Sequence, residues 1–415
     1  MVKMKDSGIE WIGEIPETWE KVKFNAIYSN RNTKVSDREY APLSVTKKGI
    51  VPQLATAAKT NDNDNRKLVK SGDFVINSRS DRRGSCGISS LDGSVSLINT
   101  VLEPKNSQME PLYFDFLFHT IQFADEFYKW GHGIVDDLWT TNWNDMKNIT
   151  LILPTRSEQQ LIADFLDHKT VEIDGLIDKI NAEIDTLKQY QSSVITQAVT
   201  KGLDSNVPMK DSGIEWIGEI PASWKVARGK NILKLLSRKV EPDYEIITAF
   251  RDGQVTLRKN RRTEGFTIST KEIGYQGVKA NDLVVHAMDG FAGAIGISDA
   301  DGKASPVLNV LDSNQNKRYV MYYLRVCALL GVFQALAKGI RIRTADTRWD
   351  TLKNLNYLLP SKAEQQKIVD YLDQKVSQIQ KVIKSKQQQI DQLTGYKNSL
   401  IFEYVTGKKQ VKEAN

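Results

Sequence analysis

The chain has 415 residues, with 57 Lys plus Arg against 51 Asp plus Glu and a formal net charge of +6. That length exceeds what one hydrophobic core supports, so two or more domains are expected, and the mild basicity permits an anionic partner without requiring one. Two cysteines, Cys86 and Cys327, rule out a disulfide framework and four scattered histidines show no zinc spacing, so a reducing cytoplasm fits best and no metal is expected. No apolar run follows a basic start, so no signal peptide is expected.

The first element is a repeat. MKDSGIEWIGEIP, Met4 to Pro16, returns without change as Met209 to Pro221, an offset of 209 − 4 = 205. Chance does not produce thirteen matching residues, so the chain is an internal duplication, with Trp11 and Trp216 as candidate packing anchors. After the first copy come short β-rich runs punctuated by glycine. Lys47 and Lys48 precede a turn at Gly49, and GDFVINS (Gly72 to Ser78) is strand-like and leads into SRSDRRG (Ser78 to Gly84). GIS follows at Gly87 to Ser89, and an aromatic, helix-like run spans Tyr113 to Phe127.

At LPTRSEQQLIADFLDHK, Leu153 to Lys169, a long helix begins. Thr155-x-x-Glu158 is a capping box, in which hydroxyl and carboxylate satisfy orphan amides of the first turn. Apolar residues then step by four and three through Ile173, Ile177, Ile180, Ile184 and Leu187, continuing at Gln191, Val194 and Ala198. An average spacing near 3.5 is the seam of a coiled coil. Helix one ends near Thr200, and the short KGLDSNVP leads into the second copy.

The second half repeats this frame. Gly253-Gln254-Val255 answers Gly49-Ile50-Val51, NDLVVHA (Asn281 to Ala287) answers GDFVINS, and Gly296 to Ser298 answers Gly87 to Ser89. Tyr319 to Phe333 answers the aromatic run. The apolar stretch Val320 to Ala337 contains Arg325 and Gln334, so it is read as a core helix, not a membrane span. LPSKAEQQKIVDYLDQK (Leu359 to Lys375) opens a second long helix with a box at Ser361-x-x-Glu364. Its seam runs through Ile379, Ile383, Lys386, Ile390, Leu393, Lys397, Leu400 and Tyr404, and the polar members could hold register at some cost in stability.

Each helix is about 40 residues, or about 60 Å, longer than a small domain covers. Helix one feeds the second globular part through a short link, and that part feeds helix two directly. Antiparallel pairing therefore satisfies the connectivity, and a pseudo-twofold dumbbell is expected. The fold class is α+β: two similar α+β domains, residues 1–154 and 206–360, separated by long helices at residues 155–205 and 361–415.

Between the shared frame residues the two globular parts differ, as expected of one scaffold carrying two recognition surfaces. The variable positions are basic: Lys47, Lys48, Arg79, Arg82 and Arg83 in the first, then Arg258, Lys259, Arg261, Arg262, Arg341, Arg343 and Arg348 in the second. A single charge run is ordinarily a solvated face. Recurrence at matching places favours nucleic acid, since arginine suits phosphates and guanine edges. Asn77 with Ser78, and His286, stand at corresponding loop starts and are candidate base contacts.

In these features the chain resembles the specificity subunit of Type I restriction-modification enzymes. The carriers are GEIPETW and GEIPASW, the segments DFVINSRSDRRGSCGIS and DLVVHAMDGFAGAIGIS, and the twin LP…EQQ…I…LD.K helices. The resemblance implies two target-recognition domains, each reading half of a bipartite, asymmetric DNA target, with the paired helices as a ruler. It implies docking of two methyltransferase subunits carrying S-adenosylmethionine and adenine N6 chemistry, and a restriction subunit using ATP and Mg. In this chain itself no cofactor and no catalysis are expected: phosphate-loop, dinucleotide and Asn-Pro-Pro-aromatic motifs are missing, and His132 and His286 have no partner at readable spacing. EPDYE (Glu241 to Glu245) lacks the trailing lysine of a nuclease cluster. Two other readings stand beside this one: a coiled-coil adaptor, which predicts no salt-sensitive DNA binding, and a stand-alone regulator, which predicts tight specific binding without partners.

Overall fold

The computed structural model describes residues 3–56, 63–105, 109–134, 139–261, 272–336 and 347–411. Of the candidate DNA contacts, Arg262, Arg341 and Arg343 lie outside the described residues. The chain forms two compact units, Met1–Ile180 with Gln387–Asn415, and Asn181–Lys386. Both are α+β, and each contains one globular part and a segment of both long helices.

In the first unit, a four-stranded antiparallel sheet runs in the order Cys86–Ile88, Phe74–Asn77, Asn99–Pro104, Tyr28–Asn30. The central strand Phe74–Asn77 is buried on both faces through Ile76, which is why it reads as a continuous apolar run. Phe74 and Ile76 point into the main core, while Val75 points into a smaller core with Leu43, Ile50 and Val95, as the two-residue period of a strand demands. Phe24, Phe74, Phe118 and Phe123 fill the main core, with the Phe74 and Phe118 rings 4.2 Å apart. The aromatic run forms two helices, Pro111–Phe118 and Ile121–Lys129, not one. The break comes at Thr120, whose hydroxyl caps the second helix by accepting from Phe123 N.

The second unit repeats this order: Ile295–Ile297, Leu283–His286, Leu308–Ser313, Leu233–Leu235. Leu283 and Val285 face its main core and Val284 the smaller one. Shared frame residues meet here as their spacing implies. Gly49 and Gly253 both adopt positive φ, +103° and +94°. Each is also the neighbour of the next frame glycine: a Cβ on Gly87 would lie 2.8 Å from Gly49 Cα, and one on Gly296 would lie 2.0 Å from Gly253 O. Asn281, at φ 70°, stands where the first unit has Gly72; asparagine tolerates that region. The apolar stretch from Val320 is also split, into Lys317–Leu329 and Val332–Ala335, at Gly331 with φ +71°. Among the described residues no helix is long and apolar enough to cross a membrane.

The long helices are Arg156–Lys201 and Lys362–Val405. Every seam residue named from the sequence is buried or half-buried: Ile173, Ile177, Ile180, Ile184, Leu187, Val194, Ile379, Ile383, Ile390, Leu393 and Leu400. Residues between them from Gly175 to Gln189 are exposed. Pairing is antiparallel within each unit. In the first, Phe165 stacks against Tyr404 at 4.5 Å and Lys397 grips both oxygens of Asp174 at 2.6 and 2.8 Å. In the second, Lys386 pairs with Glu183, and Gln380 Nε2 donates to Gln191 Oε1 at 2.7 Å. The polar seam members therefore each have a partner across the pair.

Both helix starts use more than a capping box. Glu158 closes the box with Thr155, accepting from Thr155 N at 3.0 Å, and its other oxygen accepts from Trp19 Nε1 at 3.1 Å. At the second start, Glu364 N donates to Ser361 Oγ at 3.2 Å, while the Glu364 carboxylate accepts from Trp224 Nε1 at 2.9 Å. The anchors are thus chiefly Trp19 and Trp224, just beyond the two copies of the repeat and 3% and 0% exposed. Trp11 and Trp216 are half-buried and pack on Phe123 and Tyr323.

Each repeat also lies against the C-terminal end of a long helix. Lys408 donates to Ile12 O in the first unit, and Lys201 to Ile217 O at 3.2 Å in the second. Gly407 and Gly202 end the helices at φ +72° and +79°. A Cβ on Gly407 would meet Pro16 Cδ at 2.4 Å, whereas one on Gly202 has nothing nearer than 3.4 Å. Gly407→Ala is expected to destabilise the first unit by more than about 1 kcal/mol, from left-handed strain plus the clash. Gly202→Ala carries the strain alone. Hydrogen exchange of the two units in each variant measures the difference.

Candidate nucleic-acid interface

In both units the central strand of the four-stranded sheet ends in a side chain that folds the following turn. Asn77 Oδ1 accepts from Arg79 N at 3.1 Å. His286 Nδ1 accepts from Met288 N at 3.2 Å and Asp289 N at 3.0 Å. Each residue spends one polar atom on the backbone and keeps another: the Asn77 amide nitrogen, and the His286 Nε2, which carries the proton because Nδ1 is an acceptor. The two are structural equivalents, since Asn77 N donates to Ser85 O and His286 N to Ala294 O across the same strand pair.

Around Asn77 the first unit gathers its candidate cations. The turn Ser80–Arg82 presents Arg79 and Arg82 on either side of Asp81, at 3.4 and 3.7 Å. Arg83 is held back, paired with Asp125 and laid over the Tyr128 ring 4.9 Å away. Ser78 Oγ is within 2.9 Å of Thr100 Oγ1 and is half-buried, so it serves the loop's geometry. Lys47 and Lys48 are exposed at the tip of the hairpin Leu43–Thr46, Gly49–Pro52. The Gly49–Gly87 contact ties that hairpin to the strand following the arginine turn. Sequence position alone separates these groups by about thirty residues; the sheet brings them to one edge.

The second unit is built differently. Arg258 donates to Thr248 Oγ1 at 3.4 Å, Lys259 pairs with Glu245 at 2.5 Å, and Arg261 pairs with Asp252 at 2.6 Å while lying over Phe250. Arg348 is exposed at the start of the helix Trp349–Asn354. The turn after His286 carries no cation. Arg251 reaches it from the hairpin Ile247–Ala249, Val255–Leu257, bonding Asp289 at 2.8 Å. Arg251 escaped the sequence reading, although the alignment of Gly253 with Gly49 sets Arg251 where Lys47 stands and was sufficient to find it.

Other basic residues belong to the scaffold. Arg31 grips buried Asp73 at 2.7 Å, and Arg238 grips buried Asp282. Lys70 and Lys279 repeat a second arrangement, each paired with an aspartate, Asp92 or Asp301, and set over a tyrosine, Tyr40 or Tyr244. His132 lies 3.4 Å from Asp145, a neighbour that sequence spacing hides. Among the described residues no cluster of three or more His, Cys, Asp or Glu could hold a metal ion.

Burial pulls the His286 pKa below the ordinary 6.5, with Asp289 opposing and Arg251 reinforcing the shift. The folded unit then binds fewer protons than the unfolded chain between the two values, so stability rises with pH across that window. The His286 contribution is complete above 6.5 and declines as pH falls towards the depressed folded value. His286→Asn, which installs the side chain of the first unit, is expected to flatten the fall in the second unit's urea midpoint between about pH 7.5 and 5.5.

Residues 16–186 match the family model described as Type I restriction modification DNA specificity domain. Over 150 residues the chain is 31% identical to the Type I restriction enzyme MjaVIII specificity subunit of Methanocaldococcus jannaschii, covering 35% of this chain and 32% of that protein. The match thus spans about a third of the length of that curated relative. A solved chain from a study of complex assembly and conformational transition of the type I R-M system superposes with a TM-score of 0.67 at 12% identity, covering 95% of this chain and 99% of that chain. At that identity the likeness establishes the fold.

Proposed function

We propose, on the premise that this chain belongs to the Type I restriction-modification DNA specificity family, that it is the non-catalytic DNA-recognition subunit of such a complex. Residues 1–154 and 206–360 would each read one half of a bipartite target, and the helical segments 155–205 and 361–415 would set the gap between the halves. The observation that carries this reading is the matched strand end, Asn77 in one unit and His286 in the other, each holding a free polar atom at a turn edged by arginine. Such an arrangement supplies base-edge contacts beside phosphate contacts. The loops differ between units while the frame does not, as reading two different half-sites requires.

The partners in this reading are double-stranded DNA, two methyltransferase subunits docked on the helices, and restriction subunits. S-adenosylmethionine belongs to the methyltransferase, and ATP with Mg to the restriction subunit; this chain holds none of them. The working compartment is the cytoplasm, where such a complex meets DNA. A duplex turns fully in roughly 34 Å, so a change in helix length would swing one unit out of its groove.

Arg79→Ala, Arg82→Ala and Arg83→Ala combined are expected to weaken recognition of one half-site and leave the sequence preference at the other intact. Methylome sequencing of cells expressing the variant with its methyltransferase reads both halves at once. Loss of both preferences together would show that the units do not read independently. Adding four residues to both long helices is expected to change the preferred gap but not the bases; the same sequencing reports an unchanged gap if the helices do not set it.

A further inference from the structure

Among the described residues, the second unit contains a cation with no anion at ion-pair distance. Arg325, on the helix Lys317–Leu329, is half-buried. Among the described residues its guanidinium has no hydrogen-bond acceptor and no carboxylate at ion-pair distance. Carboxylates bearing on this corner are already engaged: Asp252 with Arg261 at 2.6 Å, and Asp289 with Arg251 at 2.8 Å. Among the described residues, three arginines against two carboxylates leave one positive charge uncompensated. Burial disfavours the charged form of Arg325, only partly opposed by Tyr322 and Asp252, yet arginine stays protonated in proteins. A half-buried cation kept in this state is favourable once an anion arrives from outside.

The chain makes room for one. Arg325 lines a cleft of about 320 Å³ together with Arg251, Gln191, Ser192 and Gly293. Two glycines create the space. A Cβ on Gly253 would lie 1.8 Å from Arg325 Nη1, and one on Gly293 would lie 2.6 Å from Arg251 O. In the first unit the turn beyond the central strand carries its own arginines, Arg79, Arg82 and Arg83; the equivalent turn here, Met288 to Ala292, carries none. Arg251 and Arg325 bring cations to that turn from two other elements.

We propose that Arg325 and Arg251 bind one backbone phosphate of the DNA half-site read by the second unit, with Gln191 and Ser192 as neutral donors. The proposal rests on the DNA-recognition reading and deepens it. The cleft adjoins the turn shaped by His286: Arg251 bonds the Asp289 carboxylate while His286 Nδ1 accepts from Asp289 N. A phosphate held there would fix the duplex next to the side chain available to a base, which is how phosphate contacts set register for base contacts. Arginine can present two parallel N–H donors to a phosphate.

The test titrates the full chain with a duplex carrying its bipartite target over a series of salt concentrations. Arg325→Met, which keeps the apolar stem and removes an uncompensated charge, is expected to lower the slope of log K against log salt by about 0.9, the value for one lost phosphate contact. Arg325→Lys keeps the charge and is expected to retain the wild-type slope. Arg325→Gln gives the same comparison as Arg325→Met should the latter fold poorly. An unchanged slope in the neutral variants would overturn the phosphate site. So would an unchanged slope with weakened methyltransferase association, since the cleft would then hold a protein carboxylate. A wild-type chain without salt-sensitive DNA binding would instead remove the DNA-recognition reading itself.

Discussion

Everything in each unit hangs on the contact between the tryptophan that follows the repeat and the first turn of a long helix. Trp19 donates to Glu158 and Trp224 to Glu364. Next to each glutamate, a buried glutamine joins the helix start to the globular part: Gln159 bonds Glu110 N and Pro154 O, and Gln365 bonds Asn316 N and Pro360 O. A tyrosine then reaches the far end of the other long helix, Tyr113 to Val405 O and Tyr319 to Val199 O. Buried polar groups that are fully satisfied specify one arrangement, because any shift leaves several of them unpaired. Each globular part is thereby fixed to the start of one helix and the end of the other.

The seam shows how duplication becomes asymmetry. Asp174 with Lys397 and Gln380 with Gln191 are the same pair in the two copies, since 174 + 206 = 380 and 397 − 206 = 191. One copy is ionic and the other an amide pair. Solvent-exposed ion pairs add little stability, but a polar group in a helical seam discriminates between registers. Two different pairs at equivalent places disfavour slippage that would set like against like.

Much of the candidate surface was legible because it sits on the frame. Gly87 and Gly296 mark close backbone approaches, Gly49 and Gly253 the positive-φ turns they approach, and together they locate the loops between them. Asn77 and His286 were found by the same alignment. Arg31 and Arg238 look like surface cations in sequence, yet each is committed to a buried aspartate. Arg325 looks like an interruption of an apolar helix and proves to be a half-buried cation with no carboxylate at ion-pair distance among the described residues. Charge alone cannot separate these cases, because the separation depends on which carboxylate the fold brings near.

By itself the sequence determined the duplication, the two long helices with their seams, and the places where the loops depart from the frame. These follow from local rules: helical and strand periods, capping boxes, and glycine where backbones crowd. Tertiary structure decided which tryptophan is the anchor, where the aromatic runs break into two helices, and which arginines remain available. The anchor's partner Glu158 lies 139 residues from Trp19, and Asp73 lies 42 residues from Arg31; no local period encodes distances of that kind.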